Sequence, residues 1–218
     1  MIEATYIDHM GSDLSVVNAA RVSFGKKSEW MPRIHYGEEL VLKPKDSRLI
    51  RFLAKHNHKS PFNHTFVTFH VKAPVFVARQ LVKHEYMPWN EISRRYVDVE
   101  PELYEAPIWR GRSADKKQGS SGEVRSNANV HYFNNNALQM YKQLIDEGVA
   151  PEQARMVLPQ SMMTEWYWSG TLFAFAKMCG LRLKEDTQAE TRIVAEKIED
   201  VMIKLFPVSW EALRMYEE

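Results

Sequence analysis

The chain has one cysteine, Cys179, among 218 residues. An intramolecular disulfide is therefore impossible, and a zinc cluster built on cysteines is excluded. A reducing compartment fits that usage. Net charge is scarce as well: 29 basic against 28 acidic side chains leave +1. A general nucleic-acid binder carries a clear basic excess, so nucleic acid is not the expected partner, although a local cationic pocket stays open. No stretch approaches the roughly 18 uninterrupted apolar residues of a membrane span. The opening "MIEATYIDHMGSD" lacks the apolar core of a secretory signal. A soluble, cytoplasmic protein without a membrane partner is the expectation. A glycine-rich phosphate loop and the dinucleotide fingerprint are both missing, so any dinucleotide must bind without one.

What is present reads as one globular domain, with 44% hydrophobic and 26% charged residues. "IEATYID" predicts a first strand, and Ser12 or Asp13 an N-cap for the helix that follows. Leu49, Ile50 and Leu53 recur at helical spacing behind Asp46. Val67, Phe69 and Val71 alternate with Thr68, His70 and Lys72, the pattern of a half-buried strand. "PVFVARQLVKH" predicts a helix with Pro74 in its first turn, and residues 109 to 127 a polar, mobile loop. Val130, Phe133, Ala137, Met140, Tyr141, Leu144 and Ile145 form one stripe of a long amphipathic helix. "PEQARMVLP" predicts a short helix opened by Pro151, "MTEWYWS" a strand, and "GTLFAFAKMCG" a buried helix stopped at Gly180. A last helix turns Val194, Ile198, Val201, Met202 and Leu205 inward. Segregated strands and helices make the fold class α+β.

Four polar clusters are candidates for chemistry. In "KHEYMPWNEISRRY", Gln80, Lys83 and His84 end a predicted helix, and alternation puts Glu91, Ser93 and Arg95 on one side of an extended segment. Arginine takes phosphate oxygens, serine donates and glutamate accepts a sugar hydroxyl, so the segment suits a sugar phosphate. A solvated edge strand with an ion pair explains the same residues. His56, His58, His64 and His70 suit either a metal or plain hydrogen bonding, with no carboxylate at ligand spacing nearby. Arg155 and Arg182 sit in apolar surroundings, which calls for a bound anion or a structural ion pair. Cys179 has the neighbours of an inert core thiol rather than of a nucleophile. Weaker signals are Arg110, Arg112, Lys116 and Lys117 in the loop and the aromatic run Trp166, Tyr167, Trp168.

Together these stretches resemble the flavin-dependent thymidylate synthases. The likeness runs from "DLSVVNAARVSF" through "HKSPFNHTFVTFHVKAPVFVARQ", "WNEISRRYV" and "QARMVLP" to "LRL…TQAETRIVA". It implies a single domain with a central, mostly antiparallel sheet flanked by helices. It also implies methylation of dUMP to dTMP, with methylenetetrahydrofolate as carbon donor, FAD and NADPH as reductant, and a homotetramer with shared sites. Hydroxymethylation, or methylation of another pyrimidine nucleotide, is the alternative on the same scaffold. An inactive nucleotide-binding protein is the alternative of another class. By resemblance, Gln80, Lys83, Glu91, Ser93, Arg94, Arg95, Arg155 and Arg182 match nucleotide-binding positions, Arg155 reaching a neighbouring subunit's nucleotide. Arg182 matches the catalytic arginine that polarises the uracil ring. Ser60, Lys83, His84, Glu85, Glu91, Thr171, Phe173 and Lys177 match flavin positions.

The departures gather on the flavin side. The family signature is Arg-His-Arg, seven residues, then Ser; the same frame here reads Lys83-His84-Glu85, "YMPWNEI", Ser93. Thr171 and Phe173 stand where the family has Asn and Arg, and Lys177 where it has Asn. Arg to Lys loses the bidentate fork. Arg to Glu reverses a charge, which Lys177 or the basic loop can offset.

Overall fold

The computed structural model describes residues 1–33, 40–114 and 119–216. In chain order the strands are β1 (Glu3–Met10), β2 (Met31–Pro32), β3 (Leu40–Val41), β4 (Phe66–Pro74), β5 (Trp89–Glu91), β6 (Trp109–Arg112), β7 (Ser120–Val124) and β8 (Met163–Thr171). The helices are α1 (Asp13–Arg21), α2 (Pro44–Lys55), α3 (Val75–Leu81), α4 (Val130–Asp146), α5 (Pro151–Ala154), α6 (Leu172–Arg182), α7 (Ala189–Leu205) and α8 (Pro207–Met215). The central sheet has the order β1-β4-β8-β5, with antiparallel neighbours throughout. This is the α+β arrangement that the alternation in β4 and the segregated helices imply.

Alternation in β4 buries Val67, Phe69 and Val71 completely, while Thr68, His70 and Lys72 stay half-exposed. Phe69 pairs with Trp168 of β8, and both rings meet Phe175 of α6 edge-on, at 5.2 and 5.5 Å. Truncating an aromatic ring in such a core costs about 3–5 kcal/mol. Two carboxylates tie the helices together. Asp46, fully buried, accepts from Arg21 and Ser28. Asp13 does not cap its own helix; it accepts from the Val208 and Ser209 amides and so caps α8, while Ser12 is the N-cap of α1. Burial pushes the Asp13 carboxyl up, against those donors.

Several local expectations change. Pro74 precedes α3 as its N-cap. α6 runs through Gly180 to Arg182, because Gly180 does not adopt the positive φ with which glycine ends a helix. The expected last helix breaks at Phe206 (φ −134°, ψ 59°) and restarts at Pro207. In the segment expected to be a loop, β6 and β7 pair as a hairpin; Lys116 and Lys117 lie outside the described residues. The stripe on α4 is only partly buried. Tyr141 is covered, but Phe133 and Met140 are 59% and 48% exposed, since α4 packs on α5 and the turn after it rather than on the sheet.

Candidate active site

After α3 the chain reverses through residues 82 to 88 and returns as β5 at the sheet edge. That reversal separates the two halves of "KHEYMPWNEISRRY". Lys83, His84, Glu85 and Tyr86 line a cavity of about 620 Å³ together with Lys59, Asn63, Thr171, Phe173, Lys177 and Arg182. Tyr86 holds φ at +59° and is 92% exposed. A non-glycine residue in that region stores strain of order 1 kcal/mol.

Arg182, in the last turn of α6, is the most engaged cation of the site. Its Nε donates to His84 Nε2 at 3.0 Å and one Nη2 hydrogen goes to the Gln80 carbonyl, also at 3.0 Å. His84 is therefore an acceptor at Nε2 and carries its proton on Nδ1. Burial, with the positive charges of Arg182 and Lys177, pushes the His84 pKa down to about 4, so the ring is neutral near pH 7. Three guanidinium hydrogens of Arg182 remain for a ligand. Gln80 is held by its side chain too: Nε2 donates to Gln188 and Oε1 accepts from Thr191 Oγ1 at 3.2 Å.

Lys59, Lys83, Lys177 and Arg182 line the cavity together with one acid, Glu85. Lys59 Nζ lies 5.5 Å from the centre of the Phe173 ring. Thr171 caps α6 through the Ala174 amide and donates to Asn63 at 2.8 Å. A flat aromatic wall beside clustered cations suits a flavin with its diphosphate, and Lys83, His84, Thr171, Phe173 and Lys177 are the residues that would hold it. Glu85 opposes an anionic ligand, and three lysines and Arg182 outweigh it. Ser60 opens a short helical turn nearby and is exposed, outside this lining.

The other half of the motif does not reach this cavity. Glu91 accepts from Trp89 Nε1 and Thr164 Oγ1, and Ile92 bonds Glu165 of β8. The expected extended run then stops: the Tyr96 and Val97 amides both donate to the Ser93 carbonyl, a turn that removes Glu91, Ser93 and Arg95 from a common strand face. Arg94 donates to the Val99 carbonyl and lines a small cavity with Lys72 and Glu102. Arg95 lies over the Tyr96 ring. Arg155 is exposed, bonded to the Glu152 carbonyl, and is not embedded in apolar surroundings as its sequence neighbours imply.

The remaining candidates are structural. His56 and His58 pack on Phe52, and His70 faces Glu165 at 3.2 Å. Cys179 is fully buried, and burial pushes its thiol far up, so it is inert. Sequence reasoning overlooked Lys59, Asn63 and Gln188. Only the cap position of Thr171 and the turn chemistry of "SPFN" pointed toward them.

Residues 5–208 match the family model described as thymidylate synthase complementing protein. A flavin-dependent thymidylate synthase of Thermus thermophilus is 37% identical over 209 residues, covering 94% of this chain and 73% of that protein. One from Thermotoga neapolitana is 36% identical over 211 residues, covering 96% and 89%. Among solved structures, the UMP/dUMP methylase PolB of Streptomyces cacaoi bound with 5-Br dUMP superposes with a TM-score of 0.81 at 32% identity, over 99% of this chain and 96% of that one. With 5-Br UMP the values are 0.83, 30%, 99% and 95%.

Proposed function

The chain belongs to the flavin-dependent thymidylate synthase family, and on that premise we propose that it converts dUMP to dTMP by reductive methylation at carbon five. Methylenetetrahydrofolate is the carbon donor, NADPH the reductant and FAD the resident cofactor. The observation that carries this reading is the Arg182 guanidinium, fixed by neutral His84 and the Gln80 carbonyl with three hydrogens to spare. A fixed, partly desolvated cation stabilises negative charge that develops on a pyrimidine ring. When bound, reduced flavin supplies the hydride that completes the methyl group. With Cys179 sealed in the core, no cysteine activates the ring covalently, so Arg182 carries that electrostatic task.

The enzyme works as a homotetramer with shared sites. Arg95 and Arg155 are exposed and lie outside the Arg182 cavity, as guanidiniums do when the phosphate they take sits on another subunit. Arg155 follows α5, against which α4 packs, and α4 leaves Tyr132, Phe133 and Met140 exposed. A second copy covering that face would bring Arg155 to a neighbour's nucleotide. None of the described helices is long and apolar enough to cross a membrane, and the water-soluble substrates fit a cytoplasmic location.

A second reading, methylation of another pyrimidine nucleotide, is favoured by the similar methylase whose structures hold both 5-Br dUMP and 5-Br UMP. The test is anaerobic turnover of dUMP and, separately, UMP with FAD, NADPH and methylenetetrahydrofolate, read by product mass. A methylated dUMP is expected. A hydroxymethyl product would overturn the methylation, and methylation of UMP alone would move the substrate. Protein that binds dUMP but neither absorbs as a flavoprotein nor takes up FAD would be a nucleotide-binding protein.

A further inference from the structure

A smaller cavity of about 260 Å³ adjoins the one around Arg182, and Lys59, Phe173 and Lys177 line both. Only the smaller one is also lined by Lys55, from the last turn of α2, and by Asn57 just beyond that helix. The end of α2 brings its lysines together. Asn57 holds φ at +56°, and the turn around it has the paired bonds that close many helices. Its amide donates to the Ala54 carbonyl at 3.0 Å and the His58 amide to the Leu53 carbonyl at 2.8 Å. The chain so reversed returns Lys59 to the cavity that Lys55 lines, with Nζ 5.5 Å from the centre of the Phe173 ring. Phe173 and Lys177 stand four residues apart on α6 and so share a face of it.

Local structure does not call for these charges. A lysine in a last turn can serve carbonyls that have no partner, but those of Phe52, Leu53 and Ala54 already accept from the His56, His58 and Asn57 amides. Among the described residues no acid lines the smaller cavity, and none of Lys55, Lys59 and Lys177 has an ion-pair partner. Cations gathered round one cavity repel one another, and a bound anion relieves that repulsion. The anion has to be one whose ligand also occupies the larger cavity, because Lys59, Phe173 and Lys177 belong to both. A flavin dinucleotide, with a flat ring at one end and a diphosphate behind it, has that form.

We propose that Lys55 and Lys59, with Lys177, make the smaller cavity the diphosphate subsite of this chain, so that these lysines select FAD over flavins that lack a diphosphate. An ammonium acts as a point charge rather than as a bidentate fork, so the selection should weaken as salt rises. The inference rests on the flavin reading above, but its readout is a ratio of affinities rather than turnover. FAD and riboflavin, which has the ring and no phosphate, are titrated into the full chain, and the wild type should prefer FAD. Lys55→Gln, at a position that lines only the smaller cavity, should weaken FAD by up to about fivefold, the worth of one exposed ion pair, and leave riboflavin unchanged. Lys55→Arg, which keeps the charge, should hold FAD as the wild type does. Lys55→Gln combined with Lys59→Gln should remove most of the preference, with folding checked by the thermal midpoint. Equal weakening of both flavins would mean a merely structural role, and unaltered FAD affinity in the double variant would mean lysines that are only solvated; either overturns the proposal. Wild-type protein that binds the two flavins equally would overturn it too, and leave the flavin reading standing. Protein that prefers FAD through Lys55 but does not methylate dUMP would overturn the proposed function alone, and protein that takes neither flavin overturns both.

Discussion

Residues 83–86 and residues 91–96 are neighbours in sequence and opposites in structure. The first group closes on its own chain: His84 accepts from Arg182, and the surrounding cations share one cavity with it. The second faces away from that cavity: after Glu91 is anchored to Thr164, the backbone turns and the exposed Arg95 lies over the Tyr96 ring. A binding half that is complete in one chain can be tuned residue by residue. One that waits for another subunit is constrained by the assembly. In the proposed tetramer, that difference would put the departures from the family pattern, Lys83 and Glu85, in the self-contained half and the retained Ser93 and Arg95 in the shared one.

The largest expected effect falls on the self-contained half. Arg182→Gln should lower kcat by about 10²–10³, the usual loss for a preorganised charge-stabilising donor, with folding checked by the thermal midpoint. The shared half is tested by mixing. Arg155→Gln alone should raise the KM for dUMP about tenfold, the cost of one charge-assisted hydrogen bond. Assayed at dUMP far below KM, mixed oligomers of Arg155→Gln and Arg182→Gln subunits should be more active than either parent; if they are not, both halves belong to one chain. Glu85→Arg should tighten FAD by up to about fivefold by equilibrium titration, the roughly 1 kcal/mol upper worth of one ion pair in a partly exposed site. An unchanged affinity would mean that Glu85 points away from the flavin.

The smallest effect is on pH. The His84 pKa is depressed from 6.5 to about 4 in the folded chain, so the unfolded chain takes up that proton first. The stability that neutral His84 confers is thus present above pH 6.5 and lost as pH falls toward 4. The thermal midpoint should decline across that window, and His84→Gln should flatten this part of the curve.

Strands and helices that announce themselves by period were legible: β4 by its alternation, α2 and α7 by their apolar faces, β8 by its aromatics. Of the residues that the resemblance supplied, Lys83, His84, Glu85, Thr171, Phe173, Lys177 and Arg182 come together around one cavity. The rest depended on pairings without a local signature. Arg110 and Glu190 lie 80 residues apart, and nothing in either segment points to the other. The hairpin escaped notice because its strands are polar and exposed, so hydrophobic period carries no signal there. Gly180 misled because glycine ends a helix only by adopting positive φ, and a sequence does not display φ. The exposed stripe on α4 shows the converse: amphipathicity promises a partner surface without saying in which chain it lies.

β8 and α6 join without a loop, since Thr171 ends the strand and caps the helix. Thr164 near the start of this arm steadies Glu91, and Arg182 at its end reaches the cavity. The two half-sites are therefore set apart by a rigid ruler of strand and helix. Deleting one residue from α6 would swing Arg182 about 100° around the helix axis, away from His84. Length along this arm is thus as fixed as any side chain in it, and insertions are to be expected only where surface turns leave slack.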